Sequence, residues 1–332
     1  MQAWTVCCAA VVFMTLATAV VAHGEGESPS AEIVSAIADP ELAGVLRDIL
    51  ERNPELGTAA ALVEAERFGA LQSKTLPDPD VQLTAYLLPP QTRVGALRAR
   101  ASVSQRFPGG GKRGLREQSA THRTAIAAAE VEAKTLRLIT DARRLYHEAG
   151  YLDVARTVVE TDRATLVHFE ELARARYASG VGLQQEVVSV QAEITKLDGK
   201  IADLRGRRAS VVAAINALRD RTGTALDPQP PPPVRHPLPA WETLREHALA
   251  SRPELAGFDA AVLRAEAEAN LAAKRGAPDF RLGVVYGYVE PRTDADPPNN
   301  GDDDFGVTGG ITIPVWRDSV DAGFEEATQR RR

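Results

Sequence analysis

Two long stretches of the chain keep hydrophobic residues on one helical face for many turns. In the first, no proline occurs between Arg113 and Tyr177, and apolar residues recur every seven positions. A heptad repeat of this length is typical of helices that supercoil around a partner. At a rise of about 1.5 Å per residue, roughly 65 helical residues would span about 100 Å. The repeat consists of Val131, Leu138, Leu145, Leu152, Val159, Leu166 and Ala173.

The second stretch follows a short reversal, "YASGVGLQQE", and is spaced alternately by three and four residues. Gly180 and Gly182 supply the backbone freedom that a tight reversal needs. The pattern predicts a helical hairpin whose tip is Ser179–Leu183, with Arg208 as the one interruption of the apolar seam. The seam consists of Val187, Val190, Ile194, Leu197, Ile201, Leu204, Val211, Ile215 and Leu218.

Four shorter segments alternate between apolar and other residues instead. A period of two gives a β-strand one apolar face. Each segment has about the 9–11 residues of a tilted transmembrane strand, although soluble, half-buried hairpins would alternate in the same way. The segments are Val81, Leu83, Ala85 and Leu87; Leu97, Ala99, Ala101, Val103 and Phe107; Phe280, Leu282, Val284, Tyr286 and Tyr288; and Phe305, Val307, Ile311 and Ile313.

The alternating segments come in pairs because part of the chain is repeated. Residues 53–83 align with residues 252–282 without a gap, so that matching residues lie 199 positions apart. Each copy reads as a helix, a proline and an extended run, because proline cannot continue a helix and biases the residue before it towards extended angles. The matches are Pro54, Glu55, Leu56, Pro79, Asp80 and Leu83 with Pro253, Glu254, Leu255, Pro278, Asp279 and Leu282.

The first strand pair ends in "FPGGGKRGLRE", residues 107–117, which resembles a phosphate-binding loop. That motif needs a glycine six residues before the lysine and a hydroxyl residue after it, but Arg106 and Arg113 hold these places. The second copy keeps the proline without the glycines, so we predict a strand-to-helix corner, with Lys112, Arg113 and Arg116 in solvent. The corner residues are Phe107, Pro108, Gly109, Gly110, Gly111, Ile313 and Pro314.

The N-terminal residues 1–22 form an apolar run that ends in small residues, which predicts an export signal cleaved after Ala22. A retained membrane anchor is the alternative. Cys7 and Cys8 are the only cysteines and would leave with the signal, so the mature chain has no disulfide. We expect a flexible segment at 23–39.

Composition and spacing favour no catalytic or cofactor chemistry. A net charge of −6 does not suggest a nucleic-acid partner, and the six histidines lack metal-ligand spacing. The acidic loop 290–304 lacks the spacing of a calcium loop, so a solvated external loop is favoured over weak cation binding. No nucleophile–base or paired-carboxylate arrangement stands out. We therefore predict a protein that is not an enzyme and holds no cofactor and no resident metal.

Four strands are too few to close a barrel in a membrane. An open sheet edge in lipid leaves backbone groups unpaired at several kcal/mol each, and small membrane barrels have about eight strands. If the strands cross a membrane, several chains must therefore pool them, and three chains would supply twelve.

Over residues 40–330 the chain resembles the TolC-type outer-membrane efflux channels. The motifs that carry the resemblance are "NPEL", "LPDPDVQL", "SQRFPGGGKRG", "RYASGVGLQQEVVSVQAEI" and "LRDRTG". The "FPGGGKRG" motif is most similar to the branch that serves heavy-metal pumps of the Czc and Cus kind. The resemblance implies a mixed α+β membrane protein, with a long antiparallel α-helical coiled-coil hairpin and four transmembrane strands that join an oligomeric β-barrel.

The resemblance also implies a homotrimer in the outer membrane of a Gram-negative bacterium, in contact with its lipid and with a periplasmic helical extension. Its partners would be an inner-membrane efflux pump and a periplasmic adaptor, which docks at Gly180, Val181, Gly182 and Leu183. The expected segments are a helix at 40–76, strands at 79–107, the hairpin at 112–222, a Pro-rich linker at 223–239, a helix at 240–276, strands at 279–314 and the start of a second hairpin at 315–332.

The chain departs from the family pattern at its end. Family channels carry a second helical hairpin, whereas 16 residues follow Trp316 here. We therefore expect a truncated or frameshifted product rather than a half-tunnel variant, which leaves a non-functional remnant as an alternative. A soluble periplasmic adaptor of the membrane-fusion type is a second alternative, against which the repeated helix–strand–strand unit argues.

Overall fold

The computed structural model describes residues 37–228 and 239–331. The predicted signal peptide with its two cysteines, the segment at 23–36 and most of the predicted linker lie outside these residues. The helices are α1 (Pro40–Arg52), α2 (Pro54–Lys74), α3 (Lys112–Ala178), α4 (Gln184–Leu218), α5 (Trp241–Ser251), α6 (Pro253–Ala273) and α7 (Arg317–Arg331), and the strands are β1 (Asp80–Ala85), β2 (Gly95–Phe107), β3 (Asp279–Pro291) and β4 (Asp304–Thr312).

The two regions predicted as single helices, 40–76 and 240–276, are each two helices. The first breaks at Asn53 and the second at Arg252, and a proline follows each break. The Asn53 side chain accepts hydrogen bonds from the N–H groups of Glu55 and Leu56, at 2.9 and 3.3 Å. An asparagine cap followed by proline at the first helical position starts a new helix.

Helix α3 is an unbroken 67-residue helix, and α4 has 35 residues. The two form the antiparallel hairpin, and every residue of both predicted apolar seams is buried or half-buried. Since α4 is about half as long as α3, it covers only the half of α3 next to the tip. Helices α2 and α6 pack against the other half, where Arg123 pairs with Glu66 at 2.8 Å and Ser119 donates to Glu268 at 3.2 Å.

The hydrophobic core lies at the middle of α3, between the half that packs against α4 and the half that packs against α2 and α6. Helix α1 inserts one apolar face against α3 and the end of α4, and it is held there by polar contacts at both ends. Tyr146 is fully buried, and its hydroxyl lies 2.8 Å from Asp39 and 3.1 Å from Glu41. Burial, then the bond to Asp39 and the charge of Glu41, raises the pKa of Tyr146 above its ordinary value. The core of α1 consists of Leu42, Val45, Leu46 and Ile49.

The other end of α1 is fixed by Asp48. Its carboxylate accepts from Arg219 at 2.9 and 2.5 Å and from Arg221 at 2.9 Å. Burial acts to raise the pKa of Asp48, but the hydrogen bond and charge of Arg219, followed by Arg221, outweigh it, so the pKa lies below its ordinary value. Helix α1 thus joins the C-terminal end of α4 to the middle of α3.

The strands form one sheet in the order β1-β2-β3-β4, with every neighbouring pair antiparallel. Strands β2 and β3 belong to different copies of the repeat and pair along twelve registered positions. Within 37–228 and 239–331, no helix is at once long enough and apolar enough to cross a bilayer.

Candidate functional site

The strand register gathers the alternating apolar residues on one face of the sheet. Val81 pairs with Val103, which pairs with Val284, which pairs with Val307. This apolar face is uncovered within the described part of the chain, since Leu83 and Val307 are each 78% exposed. Besides these residues, the face carries Ala85, Ala99, Ala101, Phe107, Phe280, Leu282, Tyr286, Tyr288, Phe305 and Ile311.

The opposite face of the sheet is polar and carries charged residues. Arg100 on β2 reaches Asp304 on β4 across Gly287 at 3.4 Å, because the glycine between them has no side chain. Arg98 pairs with Glu290 at the same end of the sheet, but Glu290 follows Tyr286 and Tyr288 in the alternation of β3 and so lies on the apolar side. This polar face also carries Gln82, Thr84, Ser102, Ser104, Arg106, Arg281, Thr308 and Thr312.

The prediction that Leu97 shares the apolar face is wrong. A bulge shifts the β2–β3 register between Leu97 and Ala99, so Leu97 pairs with Val289. A bulge adds one residue to one strand and thereby reverses the alternation beyond it. Leu97 consequently lies over Gly287 on the polar side, where its Cδ1 is 2.9 Å from the position of an added Cβ, and both Leu97 and Val289 are buried.

Both outer strands of the sheet have an unpaired edge. Within the described residues, β1 pairs along its length only with β2, and β4 pairs only with β3. The sheet therefore presents an uncovered apolar face, a polar face and two rows of free backbone donors and acceptors.

The two predicted corners lie at the same end of this sheet, because Phe107 pairs with Phe280 and Phe280 with Ile311. In the first corner Gly110 and Gly111 take φ values of 64° and 75°, which glycine adopts readily. The second corner, Ile313-Pro314, has no positive-φ residue and leads into α7. Both corners thus contain a proline, but only the first contains glycines with positive φ values.

The expectation that Lys112 lies in solvent is wrong. Lys112 is 7% exposed, and its ammonium group donates hydrogen bonds to the Ala277 carbonyl at 2.6 Å and to the Asp279 carboxylate at 2.9 Å. Asp279 also accepts from the Gly109 N–H at 3.0 Å. Arg113 and Arg116 are exposed, as expected. The first corner is therefore fastened to the start of β3 by a charged clamp of Lys112 and Asp279.

The hairpin tip lies at the far end of α3. Ala178 ends the helix, Gly180 has a φ of 75°, and the N–H groups of Val181 and Gly182 both donate to the Arg176 carbonyl at 3.0 Å. These hydrogen bonds satisfy the last carbonyls of the helix, and the apolar side chains of the tip point into solvent. Val181 is 74% exposed and Leu183 is 66% exposed.

Glu170 joins the two helices just before the tip. It accepts from Gln191 on α4 at 2.8 Å and from Arg174 on α3 at 2.7 Å. The hydrogen bond from Gln191, followed by the contribution of Arg174, holds the pKa of Glu170 below its usual range.

The acidic loop uses several of its carboxylates internally. Asp294 forms two hydrogen bonds with Arg292, at 3.0 and 2.7 Å, while Asp303 accepts from Tyr286 and from the Val289 N–H. In the part of the chain that the structure describes, no three histidine, cysteine or acidic side chains converge in a way that could hold a metal ion.

In the described part of the chain, an uncovered amphipathic sheet is joined to a long helical hairpin. Neither a protein-family model nor a curated protein matches the sequence. Solved channel structures do match the fold, at identities of 13–20%.

The outer-membrane channel OprN superimposes with a TM-score of 0.74 at 16% identity, covering 88% of this chain and 68% of OprN. CusC, solved in a study of folding and transmembrane channel formation, gives 0.68 at 13% identity, over 89% of this chain and 71% of CusC. The open MtrE outer-membrane channel of Neisseria gonorrhoeae gives 0.68 at 20% identity, over 88% of this chain and 67% of MtrE. The described chain has the fold of these TolC-type channels.

Proposed function

We propose that this chain is the outer-membrane channel component of a tripartite efflux system. It would form the wall of a passive exit duct, with the transport energy supplied by an inner-membrane pump. The observation that carries the proposal is the four-stranded sheet, which has one exposed apolar face, one polar face and two unpaired edges.

The two faces and the edges each fit a different neighbour. Lipid suits the apolar face, and a water-filled lumen suits the polar face with its Arg100–Asp304 ion pair. The edges need backbone partners, because unpaired N–H and C=O groups in lipid cost several kcal/mol each. A second and a third copy of the chain supply those partners and give a twelve-stranded barrel from four strands each.

The helical hairpin extends the duct away from the sheet. Its 67 residues in α3 correspond to about 100 Å, which carries the tip far into the periplasm. We assign the tip residues Gly180, Val181, Gly182 and Leu183 to docking of the periplasmic adaptor, since Val181 and Leu183 offer exposed apolar side chains at a fixed turn.

The finer part of the proposal concerns the pump. The "FPGGGKRG" motif supports a partner of the heavy-metal type. In a passive duct, the choice between metal ions and other substrates rests mainly with the pump.

Fractionation combined with mass measurement tests the proposed function. The mature chain should be recovered in detergent extracts of the outer membrane, with a protein mass of three chains by light scattering corrected for detergent. Recovery as a monomer in the soluble periplasm would contradict the channel and favour the soluble adaptor. Recovery only as unassembled aggregate would favour the non-functional remnant.

A further inference from the structure

Two arginines face each other on the polar face of the sheet. Arg106 on β2 is registered directly opposite Arg281 on β3, and both are exposed. Residues in this relation have Cβ atoms about 5 Å apart, and like charges there repel one another. Repulsion between these two arginines therefore weakens the pairing of β2 with β3 unless an anion lies between the two guanidinium groups.

In the described residues, no surrounding carboxylate forms an ion pair with either arginine, although the exposed Asp80 lies on the same face, opposite Ser104. At the other end of the face, Asp304 neutralises Arg100 at 3.4 Å. Next to the arginines, Asp279 is held by Lys112 at 2.9 Å. Among residues 37–228 and 239–331, neither Arg106 nor Arg281 has a side-chain ion pair or hydrogen bond.

The neighbours of the pair are small and leave room for a ligand. Gly310 is registered opposite Arg281 on β4, and an added Cβ at Gly310 would meet only the Arg281 Cβ, at 3.7 Å. Gly283 and Ser104 form the next registered pair along β2 and β3 on the same face, but an added Cβ at Gly283 would lie 2.8 Å from the Ser104 Cβ and 2.9 Å from the Thr308 Oγ1, so the open space is on the Gly310 side. Two planar guanidinium groups beside open space are suited to bidentate binding of a carboxylate, sulfate or phosphate group.

We infer that Arg106 and Arg281 form an anion-binding subsite on the lumen side of the channel wall, which favours the passage of anions and leaves the choice of exported substrate mainly to the pump. The inference rests on the proposed function, which places the polar face towards the lumen. Three copies would give a ring of six guanidinium groups at the end of the barrel next to the helices, and rings of basic side chains confer anion selectivity on pores. The position opposite the apolar face favours a passing solute over a lipid headgroup.

Single-channel recordings test this subsite. Channels purified from the outer membrane would be inserted into bilayers of phosphatidylcholine alone, so that no anionic lipid is present, and the reversal potential measured in a KCl gradient. The wild type should prefer chloride, and inorganic phosphate should inhibit its chloride current. Arg106→Glu with Arg281→Glu should lower the chloride-to-potassium permeability ratio by about threefold or more and abolish the inhibition.

Two further variants keep the test decisive. Arg100→Gln with Asp304→Asn removes a neutral pair from the same face and should leave the ratio unchanged. Arg106→Gln with Arg281→Gln relieves the repulsion, should assemble readily, and should still lose phosphate inhibition.

The possible failures are distinguishable. Normal conductance with unchanged selectivity and phosphate inhibition in both arginine variants would overturn the subsite and leave the channel intact. Absence of any conductance, in the wild type as well, would overturn the proposed function and the subsite with it.

Discussion

Lys112 fastens the first corner to the neighbouring repeat. It joins the start of α3 to Asp279 at the start of β3, and Asp279 in turn holds the Gly109 N–H. Removing one partner of a buried charged contact is costly, because the other partner keeps its desolvation penalty.

Replacement of this lysine should therefore loosen the corner. Lys112→Met should destabilise the protein by about 1–3 kcal/mol, because the Asp279 carboxylate loses its cation, and a thermal melt followed by circular dichroism in detergent would show it. Arg113→Met removes an exposed cation of the same corner and is the control. Equal melting temperatures of the two variants would show that the clamp of Lys112 and Asp279 contributes nothing to stability.

The two faces of each strand have different tolerances for charge. Leu83 on β1 belongs to the exposed apolar face, whereas its neighbour Gln82 belongs to the polar face. A charge facing lipid costs about 2–4 kcal/mol at mid-membrane depth, whereas a lumen position tolerates it.

This difference gives a matched pair of variants in one strand. Leu83→Lys should lower the amount of assembled protein in the outer membrane, and Gln82→Lys should leave it near the wild-type amount, as measured by quantitative immunoblotting of membrane fractions. Equal recovery of the two variants would contradict the assignment of the faces.

The regular elements could be predicted because their periodicity is local. The heptads marked α3 and α4, and the alternation marked all four strands. The proline after Asn53 is the local signal of the break there, but the helical composition continues on both sides and favours a single helix. The bulge beside Leu97 has no local signal, since it depends on the register with β3.

Contacts between distant parts of the chain could not be read from the sequence. Lys112 and Asp279 are 167 positions apart, and Asp48 and Arg219 are 171 apart. Only the folded chain brings each pair together. The sequence alone therefore misplaces Lys112 in solvent and carries no local sign that Arg106 and Arg281 are neighbours.

The tip and the sheet lie at opposite ends of α3, so the two regions can be altered separately. Gly182 is tightly placed, with an added Cβ only 3.0 Å from the Tyr177 nitrogen. Its substitution would disturb the turn that presents Val181 and Leu183, about 100 Å from the strands.

Gly182→Asp should accordingly weaken crosslinking to the periplasmic adaptor without lowering the amount of protein in the membrane. Gly199→Asp, at an exposed position of α4 with nothing within 4 Å of an added Cβ, is the control and should crosslink normally. Unchanged crosslinking by the tip variant would count against docking there.

The open strand edges also create a hazard before assembly. Before assembly, an exposed strand edge can pair with an incorrect strand of another chain, and such pairing leads to aggregation. The hairpin is built from contacts close in sequence and can form quickly, whereas β2 and β3 must find each other across the whole intervening hairpin. If the chain assembles as proposed, it should need a chaperone that shields these strands until their neighbours arrive.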